Sequence, residues 1–154
     1  MSFLDRLAAK LRPLESAEDS AEARRHAELM ALGGGWLAAV LAHHRQTEQA
    51  FTTALAGGDR TERQLACKRL GLLLTGHANA EEAVIYPALA DAGEKGPTTM
   101  AYKEQATVKV EMALLEKLDP LSADWRDKLE HIQGAVQHHM YEEEGTWFVD
   151  LDRK

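Results

Sequence analysis

Four long stretches of the chain repeat apolar residues at alternating steps of three and four, the period of a helix with one buried face. The first covers 36–56, with Leu37, Leu41, Phe51 and Leu55 on one side, and Gly57-Gly58 breaks it. Asp59 with Glu62 resembles a capping box and opens the second, over 60–90. Its stripe is Leu70, Leu74 and Val84, with Pro87 in the last turns. A loop around Gly93, Gly96 and Pro97 leads to the third, over 98–118, with Val108, Met112 and Leu115 inward. Asp119-Pro120 closes it, and Ser122 is the expected N-cap of the fourth, over 123–144, with Leu129, Ile132 and Val136 inward. No run of strands is legible. Short connections between long helices imply antiparallel neighbours, so the expected fold is all-α, an up-down-up-down four-helix bundle over 36–148.

Residues 1–35 read as an N-terminal helical extension. Phe3, Leu4, Leu7 and Leu11 share a face over 2–12, and Pro13 stops that segment. Residues 14–32 are charged and alanine-rich, expected to be helical, and end at Gly33-Gly34-Gly35. The extension is expected to dock on the bundle or on a second copy in a homodimer.

Each of three stripes is interrupted by histidine where leucine or valine is expected. Leu37 and Leu41 lead to His44; Leu70 and Leu74 lead to His77 and Glu81; Leu129, Ile132 and Val136 lead to His139 and Glu143. The i to i+4 spacing stacks imidazole and carboxylate on one face, a turn apart. Counted from the loops at one end of the bundle, the three histidines differ in depth by about 6 Å at about 1.5 Å per residue. Buried ionisable groups without partners are costly, and a bound cation offsets that cost. A metal site inside the bundle is the expected reading. Glu48 lies four residues after His44 but about 12 Å from the His77 level by the same rise. The third helix offers Glu104 or Gln105 at this depth, Glu104 being the better ligand and Gln105 a hydrogen-bonding group behind the ligands. Tyr102 lies near enough in sequence to serve there as well. Glu142 and Glu144 fall off the stripe, His26 and His131 have no partner pattern, and Trp147 and Phe148 are expected to seal the bundle end. Cys67 is about 15 Å along the helix from His77, so it reads as core.

Composition narrows the function classes. At 154 residues, 45% hydrophobic and 28% charged, the chain has the size and make-up of one folded domain. A net charge of −7 disfavours nucleic acid and anionic membranes as partners. One cysteine and no apolar run long enough to cross a bilayer lead to a cytoplasmic expectation.

Three segments carry a family resemblance. HANAEEAVIYPAL resembles the second-helix signature of the hemerythrin-like, or HHE cation-binding, family: a histidine, three residues, a glutamate pair, then an aromatic-proline. HHRQTEQAF resembles the first helix, with Phe51 seven residues after His44, and HHMYEEEGTWF resembles the last. The similarity covers 36–148. It implies two non-haem irons held by histidines and bridging carboxylates. His44, His77, Glu81, His139 and Glu143 inherit ligand roles, with Glu81 and Glu143 as bridges. The chain departs from the family on the third helix, where Gln105 replaces a common histidine. Members that carry oxygen reversibly are richer in histidine. A set of three histidines and three carboxylates, counting Glu104, would be harder, would favour ferric iron, and would tolerate manganese or zinc.

The leading functional expectation is a di-iron protein that binds, senses or consumes O2 or peroxide, any catalysis coming from the metals. The second is an iron-responsive interaction module without turnover. Ferritin-like iron oxidation ranks last of the metal readings, because that class uses Glu-x-x-His and this chain uses His-x-x-x-Glu.

Overall fold

The computed structural model describes residues 15–153. The amphipathic segment 2–12 lies outside the described residues. Among them there is no strand, and the helices run α1 (Ala17–Met30), α2 (Trp36–Ala56), α3 (Arg60–Ala80), α4 (Tyr86–Asp91), α5 (Lys95–Leu115), α6 (Ala123–Glu142) and α7 (Phe148–Asp152). Two of the joins are single π-helical turns, Glu81–Ile85 between α3 and α4 and Glu143–Trp147 between α6 and α7. The four long antiparallel elements are therefore α2, α3–α4, α5 and α6–α7. Each packs on its two neighbours around the bundle, and α1 lies across the α6–α7 turn and against α2.

Local chemistry explains the boundaries. Ser16 and Asp19 form a capping box at the start of α1. Gly34 and Gly35, at φ 83° and 91°, take the left-handed backbone that turns the chain from α1 into α2. At the start of α3 the Asp59 carboxylate accepts from the Glu62 N–H, and the Glu62 carboxylate reaches back to the Gly58 N–H instead of that of Asp59. The box predicted there is thus displaced by one residue. Ser122 caps α6 by accepting from the Trp125 N–H, a contact worth about 1 kcal/mol.

Two expectations about extent are corrected. The third long helix begins at Lys95 and ends at Leu115, three residues earlier at each end than the predicted 98–118. Gly96 and Pro97 sit in its first turn, where the backbone N–H has no partner within the helix and proline costs nothing. The fourth continues past 144 through the π turn to Asp152. A third correction concerns face. The stripe predicts Val84 buried, yet it is 67% exposed, and Ile85, Tyr86 and Leu89 point inward. The π turn carries one residue more than an α turn, so every position after it is rotated by about 100° relative to a continuous α-helix.

Two apolar clusters fill the bundle. One contains Phe51, Leu70, Leu115, Trp125, Leu129 and Ile132. The other contains Leu37, Leu41, Tyr86, Leu89, Trp147 and Phe148, with Ala27 of α1. Trp147 and Phe148 close that end as expected, and Cys67 is a buried member of the first cluster. Between the two lies a buried polar layer.

Candidate metal centre

The layer is made by His44 from α2, His77 at the end of α3, Glu81 in the first π turn, Gln105 from α5, His139 near the end of α6, and Glu143 in the second π turn. His44, Glu81 and Glu143 are at most 1% exposed. Both glutamates open π turns, which are frequent at functional sites because they aim a side chain differently from the helix on either side.

Four ligand atoms face one another: His44 Nε2, His77 Nε2, Glu81 Oε1 and Glu143 Oε2. The four residues form a group whose ligand atoms all lie within 4.8 Å of one another. His77 Nε2 is 3.1 Å from Glu81 Oε1, and His44 Nε2 is 3.3 Å from Glu143 Oε2 and 3.9 Å from Glu81 Oε1. None of the four atoms has a hydrogen-bond partner of acceptable geometry, although all are buried. An unsatisfied buried polar group costs about 1–3 kcal/mol, so four together on one point call for a ligand that takes all their lone pairs. Two imidazole nitrogens and two carboxylate oxygens suit a divalent first-row cation such as iron, manganese or zinc. The residues present fit a metal ion.

The surroundings hold these ligands in place. The other ring nitrogen of His44, Nδ1, is 2.6 Å from Glu144 Oε1. Glu144 in turn accepts from Arg24 Nε at 2.6 Å, and Arg24 also donates to Glu48. A carboxylate on the outer nitrogen fixes the ring and directs Nε2 inward. His77 lies edge-on to His44, at 4.9 Å between centroids, and stacks on His43 at 5.0 Å.

The opposite side of the layer is internally bonded. Tyr86 Oη lies 3.2 Å from Glu81 Oε2, 3.0 Å from Glu143 Oε1 and 3.0 Å from His139 Nε2. The Gln105 amide donates to Glu81 Oε2 at 2.6 Å and to Tyr86 Oη at 2.7 Å. His139 Nδ1 is 2.8 Å from Glu104 Oε2.

Charge in the layer is strongly coupled. Burial alone would depress His44, but the carboxylates of Glu143, Glu144 and Glu81 outweigh it and hold the imidazole well above its usual range. Burial likewise opposes His139, and the charge of Glu143 with the Glu104 contact lifts it to about 10. His77 is pushed down to about 3 by burial and by the neighbouring His44. Burial and the charge of Glu143 raise Glu81 to about 7. Glu143 is held well below the carboxylate range because His139 and His44 overcome its burial. Burial, then the charges of Glu143 and Glu81, push the Tyr86 phenol far up, so it stays protonated.

Beside the layer a cavity of about 500 Å³ opens among α3, α5 and α6, lined by His77, Gln105 and His139 and by Leu74, Val108 and Met112. It offers a small molecule an apolar route to the ligands.

The family model of the hemerythrin HHE cation-binding domain matches residues 36–151. The chain belongs to that family. It is also similar to a protein named DNA nickase from Nostoc sp. (strain PCC 7120 / SAG 25.82 / UTEX 2576), 28% identical over 108 residues. That match covers 70% of this chain and 31% of the relative, so the chain spans about a third of that protein. No solved structure matches the chain at a significant level.

In this hemerythrin-family bundle the residues singled out by spacing fall in three places. His44, His77, Glu81 and Glu143 converge on one point. His139 shares the layer but faces Glu143 and the Tyr86 hydroxyl. Glu104 sits behind His139, and on α5 it is Gln105 that reaches the centre. Tyr102 stays outside, its hydroxyl donating to the Glu82 carbonyl. Sequence reasoning left out Glu144, which is 2% exposed and holds His44. It also left out Tyr86 and Arg24. Tyr86 had a signal in the aromatic-proline pair five residues after Glu81, the spacing that a π turn places directly above it.

Proposed function

We propose that the His/Glu layer holds non-haem iron and that the protein binds or consumes an oxygen species, O2 or peroxide, there. The observation that carries this reading is the set of four buried ligand atoms from α2, α3 and the two π turns, unpartnered and aimed at one point beside an apolar cavity. Bound iron would supply the electrons and the Lewis acidity for such chemistry. The chain's own residues do the rest. Glu144 and Arg24 orient His44. Leu74, Val108 and Met112 keep the approach apolar. Tyr86 and His139 hold protons within 3.2 Å of the carboxylates.

Elemental analysis of protein purified from iron-replete cells, with ultraviolet–visible spectra before and after peroxide, tests the reading. Bound iron with near-ultraviolet absorption that changes on peroxide addition is expected. Folded protein that takes up no iron, or iron whose spectrum ignores both O2 and peroxide, would leave the reading without support.

A metal-responsive interaction module without turnover is the second reading. The Arg24–Glu144–His44 chain favours it, because it ties α1 to the ligands. Leu29, Leu32 and Trp36 are exposed at the adjoining turn. Metal-dependent exposure of that turn with spectroscopically silent metal would select it. The DNA cleavage implied by the Nostoc relative's name is a weaker proposal for this chain. The shared segment is a third of that protein, and a net charge of −7 opposes approach to a phosphate backbone.

A further inference from the structure

The polar layer has two unequal halves. On one side His44 Nε2, His77 Nε2, Glu81 Oε1 and Glu143 Oε2 are all unpartnered. On the other, Glu81 Oε2, Glu143 Oε1 and His139 Nε2 are engaged by the Tyr86 hydroxyl or the Gln105 amide, and Gln105 Oε1 alone has no partner. Glu81 Oε2 accepts from the Gln105 amide at 2.6 Å and from Tyr86 at 3.2 Å. Glu143 Oε1, at 3.0 Å, shares the single Tyr86 hydroxyl proton with Glu81 Oε2. His139 Nε2 faces Tyr86 Oη and Glu143 Oε1, both at 3.0 Å, while its Nδ1 faces Glu104. His139 Nε2 thus has the Tyr86 hydroxyl against it, whereas His44 Nε2 has no hydrogen-bond partner. Gln105 turns its NH2 toward the carboxylate, and an amide nitrogen is not a metal donor.

We propose that this chain binds one cation tightly, through His44, His77, Glu81 and Glu143, and that Tyr86 and Gln105 occupy the second position of the di-iron pair the family resemblance implies. The proposal rests on the metal-centre reading above and revises its stoichiometry. A second ion enters only when the Tyr86 hydroxyl and the Gln105 amide give way. Tyr86 and Gln105 are then the residues that set nuclearity. Gln105 lies on α5, where the family commonly supplies a histidine. Tyr86 is delivered by the π turn, which brings its hydroxyl over Glu81 five residues earlier. The cavity lined by His77, Gln105 and His139 meets the layer on α5's side and gives a small ligand an approach to a single ion.

The test is titration of metal-free protein with Mn2+, following free and bound ion by electron paramagnetic resonance. The wild type should take up one Mn2+ per chain, any second binding at least 100-fold more weakly, with an uncoupled single-ion signal throughout. His77→Ala should weaken the first ion more than 100-fold, and His139→Gln less than tenfold. The double variant Tyr86→Phe, Gln105→His should accept a second ion and develop the signal of an exchange-coupled pair. Two ions of comparable affinity in the wild type, or a coupled pair below one equivalent, would overturn the proposal. So would equal losses for His77→Ala and His139→Gln, with circular dichroism showing both variants folded. Folded wild type that binds no Mn2+, Zn2+ or Fe2+ would overturn the metal-centre reading itself and this proposal with it.

Discussion

His44 carries a carboxylate near each ring nitrogen, Glu144 on Nδ1 and Glu143 by Nε2, and these fix the orientation of its ring. Its raised proton affinity has a direct consequence for metal uptake. Below its folded pKa His44 is protonated, so an ion must displace a proton from Nε2. Glu81, raised to about 7, holds a second competing proton below neutrality. Affinity should therefore rise with pH between 6 and 8, by about tenfold per unit for each proton displaced. Glu144→Gln keeps the size of the orienting group but removes its charge, and should weaken the ion by about 10–100-fold. Chelator-competition measurements of Kd across that pH range, on wild type and variant, check both together. A flat wild-type profile, or a variant that matches the wild type, would show that the outer carboxylate does not govern His44.

At the level of elements, the two π turns decide which side chains meet. In a continuous α-helix the positions after Glu81 would present Val84 to the core, as the stripe of Leu70 and Leu74 suggests. The extra residue instead turns Val84 to solvent and brings Ile85, Tyr86 and Leu89 inward. The same device after Glu143 buries Glu144 beside His44. Deleting Val84 should thus be tolerated. The helix can then run through in α geometry with Tyr86 and Leu89 still facing the core. Deleting Leu72, also exposed but within regular α3, rotates His77 and Glu81 by about 100° against Leu70. Thermal melts followed by circular dichroism should show a cooperative transition for the Val84 deletion and none for the Leu72 deletion. The opposite ranking would mean that the turn is not a one-residue insertion.

On the scale of the whole molecule, the polar layer divides the core in two, so an ion bound there should add to the stability of the bundle. A cation at 100 times its Kd stabilises the folded state by about 2.7 kcal/mol. For a chain of this length that corresponds to a rise in Tm of about 5–10 °C, reversed by a chelator. Calorimetry with and without Fe2+ or Zn2+ checks it, and an unchanged Tm at saturation would mean that folding and metal binding are uncoupled. The helix α1 is tied to the layer through Arg24, although it precedes the span that the family model matches, and should share in that coupling. Among the described residues no helix is long and apolar enough to cross a membrane.

Periodicity alone determined the helical class and the four long elements, because burial of one helical face imposes a regular spacing on the chain. It also put three histidines and two glutamates in one layer, since i to i+4 spacing and helix rise are local geometry. Local capping chemistry announced the starts of α3 and α6 through Asp59 and Ser122. What the tertiary structure decided lies where the period breaks or where elements meet. The π turns are one-residue departures that no stripe reveals, and they hid the burial of Glu144 and the exposure of Val84. The choice between Glu104 and Gln105 depended on the rotation of α5 against α6, which neighbouring side chains set. The role of Tyr86 and the reach of Arg24 into the site are contacts between segments 19 and 120 residues apart, to Gln105 and Glu144, and only packing brings such segments together.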